Sequence, residues 1–261
     1  MNLREGSTHV QKEAAAFLQH SIEYSRQLTD KPLLVRMDAG NDAIENLNIC
    51  LNEQVDFIIK RNLHRESPEE WLAIAKQDGM CCEERDGKRV YLGAMTWDDK
   101  KLARPIRVVF RVPERTIEAD GQILLTLIVE AEVYWTTLAY APSQIIGLYR
   151  DHATSEQFHS ELKTDLNLER LPSGKFATND LVLCAGLLAY NLLRAIGQIS
   201  LQAPDAPVKT KVTRRRVRTV IENLIWLASR LVQHARETKL RFGRHSPWFP
   251  TFCRIDIALS G

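Results

Sequence analysis

Hydrophobic positions change period several times along this chain, and each change marks an element. Over residues 9–29 (HVQKEAAAFLQHSIEYSRQLT) the apolar residues suit an amphipathic helix, which Asp30, Lys31 and Pro32 end. Leu33, Leu34 and Val35 then make a short β-type run, stopped by the acidic, loop-like cluster Asp38, Ala39, Gly40, Asn41 and Asp42. AIENLNICLNE reads as a helix and VDFIIKRNL as a second strand, giving strand, acidic turn, helix and strand: the βαβ grammar of an α/β domain. Asp42 is expected to cap the helix that begins near Ala43.

Between 72 and 141 the period falls to two. Val90–Leu92, Ile106–Val112, Gln122–Ala131 and Val133–Leu138 are β-rich runs divided by turns such as Glu118–Gly121, so an all-β insertion is expected there. Helical spacing returns from Gln144 to about Leu168, and a more apolar helix follows from Asn179 to Gln202. LQAPDAPVKTK, with two prolines, is a linker, and Val217, Val220, Ile221, Leu224, Leu227 and Leu231 then predict one amphipathic helix over 212–238. The organisation is therefore 1–71 and 142–205 as two parts of one α/β domain, 72–141 as a β insertion, and 206–261 as a helical tail.

Composition and charge add three points. With 261 residues and 44% hydrophobic content the chain has enough apolar material for a sizeable core. No run approaches 18 consecutive apolar residues and the first residues are polar, so a cytoplasmic protein is expected, with Cys50, Cys81, Cys82, Cys184 and Cys253 as reduced thiols. Net charge is only +2, yet 206–261 holds twelve Lys or Arg against Glu222, Glu237 and Asp256, an asymmetry that points to a polyanionic partner, or else to a solvated basic face.

The stretch LYRDHATSEQFHSELK, 148–163, concentrates the candidate chemistry. On one continuous helix turning ~100° per residue, Tyr149, His152, Glu156, His159 and Lys163 share a stripe about 80° wide, while Glu161 projects to the far side. Glu156 is thereby the better candidate acid, against a reading in which the helix is simply solvated.

Tyr149, His152, Glu156 and Lys163 stand at the spacing of the YREK signature and resemble it, with His152 where the signature has arginine and Arg150 nearby. FHSELKTDLNLERLPSGKFATNDLVLCAGLLAYNLLR resembles the region after that signature, and LLVRMDAGND followed by VDFIIKRN resembles the strand bearing the second catalytic aspartate. The chain is identified by these motifs as similar to DDE-type insertion-sequence transposases. The resemblance implies a ribonuclease-H-like mixed sheet flanked by helices, and metal-dependent DNA cleavage and strand transfer in transposition. Two Mg²⁺ ions held by three carboxylates would serve an in-line displacement. Asp38 would be the second acid, in preference to Asp42, and Glu156 the third; both would ligate metal.

Tyr149, Arg150, His152 and Lys163 would contact DNA, and Trp97 is the candidate to stack on a flipped base, against a plain packing role. Lys60 and Arg61 close the second strand and are expected to be solvated. The implied partners are transposon ends and target DNA, with a homodimer in the complex. The first aspartate of the family lies upstream of what Met1 begins, so a truncated chain, inactive alone, is expected. The alternative is a non-enzymatic DNA-binding or dimerising remnant that inhibits intact transposase.

Overall fold

The structure is a computed structural model. It describes Leu3 and residues 13–260, apart from 65, 119–121, 152, 203–205, 209–211, 235–236 and 244. The chain divides into two compact units, one of residues 5–152 and one of residues 153–261 with 1–4.

The first unit is built on a mixed, seven-stranded sheet. Helix α1 (Ala14–Leu28) leads into β1 (Leu34–Met37), a short 3₁₀ turn at Ala39–Asn41, α2 (Ile44–Asn52) and β2 (Asp56–Lys60). β1 and β2 pair in parallel, so the expected βαβ unit is present. Helix α3 (Pro68–Asp78) follows, started by Ser67, whose hydroxyl accepts the backbone N–H groups of Glu69 and Glu70, with Pro68 in the first turn.

The remaining strands are β3 (Met80–Arg85), β4 (Lys88–Trp97), β5 (Ile106–Ile117), β6 (Ile123–Val129) and β7 (Glu132–Thr136). The β-rich stretch does not make a sheet of its own. The order is β1-β2-β7-β5-β4-β3, with β6 beside β5, and β7 runs antiparallel to β2. The two-residue turn Asp86–Gly87 between β3 and β4 needs positive φ, and Gly87 supplies it at 72°. Pro113, which lacks an N–H, sits where the neighbour of β5 on one side changes from β7 to β6.

Alternation along the strands sorts the core into two layers. Phe57, Ile59, Val108, Phe110, Val133 and Trp135 face α1, α2 and α3, whose Leu18, Leu47 and Trp71 are buried against them. The opposite face buries Ile58, Val109 and Tyr134 under Ile145 and Ile146 of α4 (Pro142–Arg150). Helices thus cover both faces, as a ribonuclease-H-like fold requires. Each buried aromatic or aliphatic side chain contributes roughly 1.5–3 kcal/mol.

The second unit begins with α5 (Ala153–Ser160), which widens into a π-helical turn at Glu161–Asp165, where Leu166 N–H bonds Glu161 O at 3.1 Å. Helix α6 (Phe176–Leu201) packs on it through Leu187 and Tyr190. By length and mean hydropathy of 1.5 alone, α6 would also pass for a membrane-crossing helix. Then come α7 (Val217–Val220), a π turn at Ile221–Ile225, strands β8 (Ser229–His234) and β9 (Glu237–Phe242), and α8 (Phe249–Ser260).

Two expectations are corrected. The single helix over 212–238 ends at Ile225, because Trp226 N–H closes back on Ile221 O and its ψ of 38° leaves the helical range. The next residues pair as a hairpin instead. The continuous helix from 144 to 168 is also interrupted after Arg150, and its last turn is π rather than α. A π turn advances less than 100° per residue, so the face calculated for Lys163 does not carry over.

Candidate active site

Asp38 and Asp42 flank the turn that follows β1, and the structure gives them different work. Asp38 is exposed immediately after the C-terminal end of the strand. Its Oδ1 accepts the Gly40 N–H at 3.1 Å and the Asn41 Nδ2–H at 2.8 Å, which shapes the 3₁₀ turn. Asp42 is half-buried and fully engaged: Oδ2 accepts the backbone N–H of Asn62 at 2.7 Å, and Oδ1 accepts the indole N–H of Trp135 at 2.8 Å. The expected cap on α2 is therefore not its role, since Ala43 precedes that helix without a side-chain cap.

Trp97 and Arg61 belong to the same neighbourhood. The Arg61 guanidinium lies 4.2 Å from the Trp97 ring centroid, 4.5 Å from that of Trp135 and 5.6 Å from that of Trp71. It pairs with Glu66 at 2.5 Å. Burial pulls the Arg61 pKa down, while Glu66 and Asp42 act to hold it up. Arg61 is thus no solvated strand-end charge, and Trp97 packs edge-on against Trp135 with Arg61 over its ring.

The signature residues are distributed over both units. Tyr149, in α4, packs at a tilt of 52° against Tyr134, with 4.7 Å between ring centroids, and burial and Glu132 raise the pKa of the Tyr134 phenol. Arg150 pairs with Glu132 at 3.1 Å. His152 lies outside the described residues. Glu156 in α5 is exposed, and Lys163 is exposed in the π turn.

Glu156 lines a cavity of about 880 Å³ together with Gln157, Ser160, Glu161, Arg214 and Arg216. The other acids of this helix are bound up. Glu161, 2% exposed, accepts the Tyr190 hydroxyl at 3.0 Å and pairs with Arg214 at 2.6 Å. Asp165 takes Arg216 in a two-point contact at 2.8 and 2.9 Å and accepts the Arg218 N–H. Burial pushes the Asp165 carboxyl up, but the Arg216 and Arg218 bonds outweigh it and hold the group below the usual range. Sequence reasoning placed Arg61 outside the site as a solvated strand-end charge and did not single out Tyr190, while Arg214 showed only as part of the basic run 214–218.

The model of the family described as transposase DDE domain group 1 matches residues 1–260. The chain belongs to this family. No curated protein matches it.

Transposase DDE domains act in DNA transposition, bind DNA and use a divalent cation such as Mg²⁺. The carboxylate oxygens of Asp38 and Glu156 suit so hard an ion, and neither residue has a cationic partner among the described residues. No preformed group of three or more His, Cys, Asp or Glu side chains is present among the described residues.

Proposed function

We propose that this transposase domain contributes to metal-dependent DNA cleavage and strand transfer at transposon ends, with Asp38 as the second carboxylate of the DDE set and Glu156 as the third. The observation that carries the reading is the contrast after β1: Asp42 is consumed by Asn62 and Trp135, while Asp38 stands exposed at the C-terminal end of the strand, where open α/β sheets place their ligands. Bound Mg²⁺ would stabilise the attacking and leaving oxygens of the displacement. Asp38 and Glu156 would supply its oxygen ligands. Lys163, Arg150, His152 and the Tyr149 hydroxyl would hold backbone phosphates of the transposon end. Trp97 is left out of the DNA contacts because Arg61 covers its ring.

The finer proposal is that the first aspartate comes from outside these residues, so that the chain alone binds ends without cutting them. β1 supports this, because among the described residues it stands at the end of the strand order beside β2. A further strand bearing the aspartate would pair along its other edge. We propose a cytoplasmic location and a homodimer on DNA as part of the same reading.

The test uses a duplex carrying the terminal sequences of the element that encodes the chain. Alone with Mg²⁺ the chain should bind it without nicking. Joined to an upstream aspartate-bearing segment it should cut and transfer strands, and Asp38→Asn or Glu156→Gln should abolish this. Retention of cleavage in either variant sinks the assignment. The reading as a non-enzymatic inhibitor is favoured by the lack of a three-acid cluster among the described residues. It predicts that the chain lowers strand transfer by an intact transposase when mixed with it.

A further inference from the structure

Strands β8 (Ser229–His234) and β9 (Glu237–Phe242) form a two-stranded antiparallel ribbon whose register fixes the side chains on each face. Arg230 lies opposite Arg241, Val232 opposite Lys239 and His234 opposite Glu237, so these six share one face. Ser229, Leu231, Gln233, Thr238, Leu240 and Phe242 share the other. Val232 and Phe242 are half-covered and the other ten are exposed. Leu231 and Leu240, directly paired, are 63% and 53% exposed. Apart from Phe242, whose ring packs on Phe249 and Phe252, the ribbon stands largely in water, and a two-stranded ribbon so exposed is marginal.

The charge distribution makes it less stable still. Glu237 is taken by Lys239 at 2.6 Å. Arg230 and Arg241 face each other with no acid within ion-pair distance among the described residues. Like charges directly opposite weaken strand pairing, and an anion held between the two guanidinium groups would reverse the sign.

We infer that the β8–β9 ribbon is a contact for duplex DNA, with Arg230 and Arg241 gripping backbone phosphate. This rests on the reading of the chain as a DNA-acting transposase domain, and it assigns the contact to a ribbon outside the signature residues. A two-stranded ribbon fits the major groove, about 12 Å wide, where the face bearing Leu231 and Leu240 can meet thymine methyl groups.

The full chain is titrated with a short generic duplex over a range of KCl concentrations. Arg230→Gln and Arg241→Gln should each make the slope of log affinity against log salt shallower by about 0.9, and the double variant by about twice that. The Arg230→Lys/Arg241→Lys variant should keep the parental slope. Arg241→Glu separates binding from folding: it places an opposite charge across from Arg230, so the ribbon amides should exchange more slowly while duplex affinity falls.

Three results would overturn the inference: a parent chain that does not bind duplex, unchanged slopes in the double variant, or intact duplex binding with loss of binding to phosphatidylserine-containing vesicles. The outcome is independent of cleavage. Shallower slopes in a chain that fails to cut even when joined to the aspartate-bearing segment support the ribbon and count against the catalytic reading; cleavage by a joined chain with unchanged slopes does the opposite.

Discussion

Replacing Asp42 and replacing Asp38 should have opposite consequences, although the two acids are four positions apart. Asp42→Ala strips the acceptor from the Trp135 indole N–H, in a residue 4% exposed, and from the Asn62 N–H that fixes the chain after β2. Hydrogen bonds to a charged acceptor contribute about 1.5–3 kcal/mol each, and the stranded donors keep their desolvation cost. The loss also removes one of the two carboxylates that support the buried Arg61 cation. A cost of about 3–4 kcal/mol is expected, which for a domain of this size lowers Tm by roughly 10 °C. Asp38→Ala removes one exposed turn cap and should cost about 1 kcal/mol. Urea unfolding followed by tryptophan fluorescence measures both, and Mn²⁺ titration of the folded variants gives the other half. Asp38→Ala should lose ion binding and Asp42→Ala should keep it. Equal stabilities within about 0.5 kcal/mol, or ion binding lost in Asp42→Ala alone, would refute the division of labour.

Two further perturbations test the second unit. Glu161→Ala leaves the Arg214 guanidinium largely buried without its acid and the Tyr190 hydroxyl without its acceptor, so unfolding should become easier by about 3 kcal/mol, whereas Glu161→Gln, which keeps an acceptor for Tyr190, should cost less. Chemical denaturation of the three proteins checks the order, and a neutral Glu161→Ala would contradict it. Asp165 has a depressed pKa in the folded state, so its stabilisation is complete above the ordinary aspartate value of about 3.9 and drains as pH falls through the lower folded value. Asp165→Asn should therefore shrink the stability difference between about pH 6 and about pH 3, measured by urea midpoints at each. An unchanged difference would show that the Arg216 contact does not set the acid response.

What could be read in advance depended on how far apart the interacting residues lie. The βαβ segment was legible because Leu34–Met37, α2 and Phe57–Ile59 each carry their own period. Helix α3 was missed, although Ser67 and Pro68 form a start signal, because Trp71, Leu72 and Ala75 blend into the following β-rich stretch. The tail misled because the stripe from Val217 to Leu231 fits a helix, and nothing local marks the π closure at Trp226. The place of Asp38 directly after β1 was visible in the sequence. The fate of Asp42 was not, since its partners Asn62 and Trp135 are 20 and 93 positions away. Arg61 is likewise explained only when α3, β4 and β7 bring Trp71, Trp97 and Trp135 together.

Those long-range partners sharpen the choice of acids on physical grounds. A carboxylate already neutralised by a guanidinium, or bonded on both oxygens, has little charge left to attract a divalent cation, and freeing it carries the full cost of breaking the pair. After β1 there are two aspartates, and the fold consumes Asp42. Along 153–165 there are three acids, of which Glu161 is held by Arg214 and Tyr190, and Asp165 by Arg216 and Arg218. The two acids left are Asp38 and Glu156, the same pair that strand-end position and signature spacing select. Chain spacing and bonding economy are independent criteria, since the second depends on Asn62, Trp135, Tyr190 and the 214–218 segment, none of which enters the first. If bonding is what spares these acids, Arg214→Ala should release Glu161 as a competing ligand. Mn²⁺ binding should then survive Glu156→Gln in the Arg214→Ala background, where it is lost in the parent, and equal loss in both would break the argument.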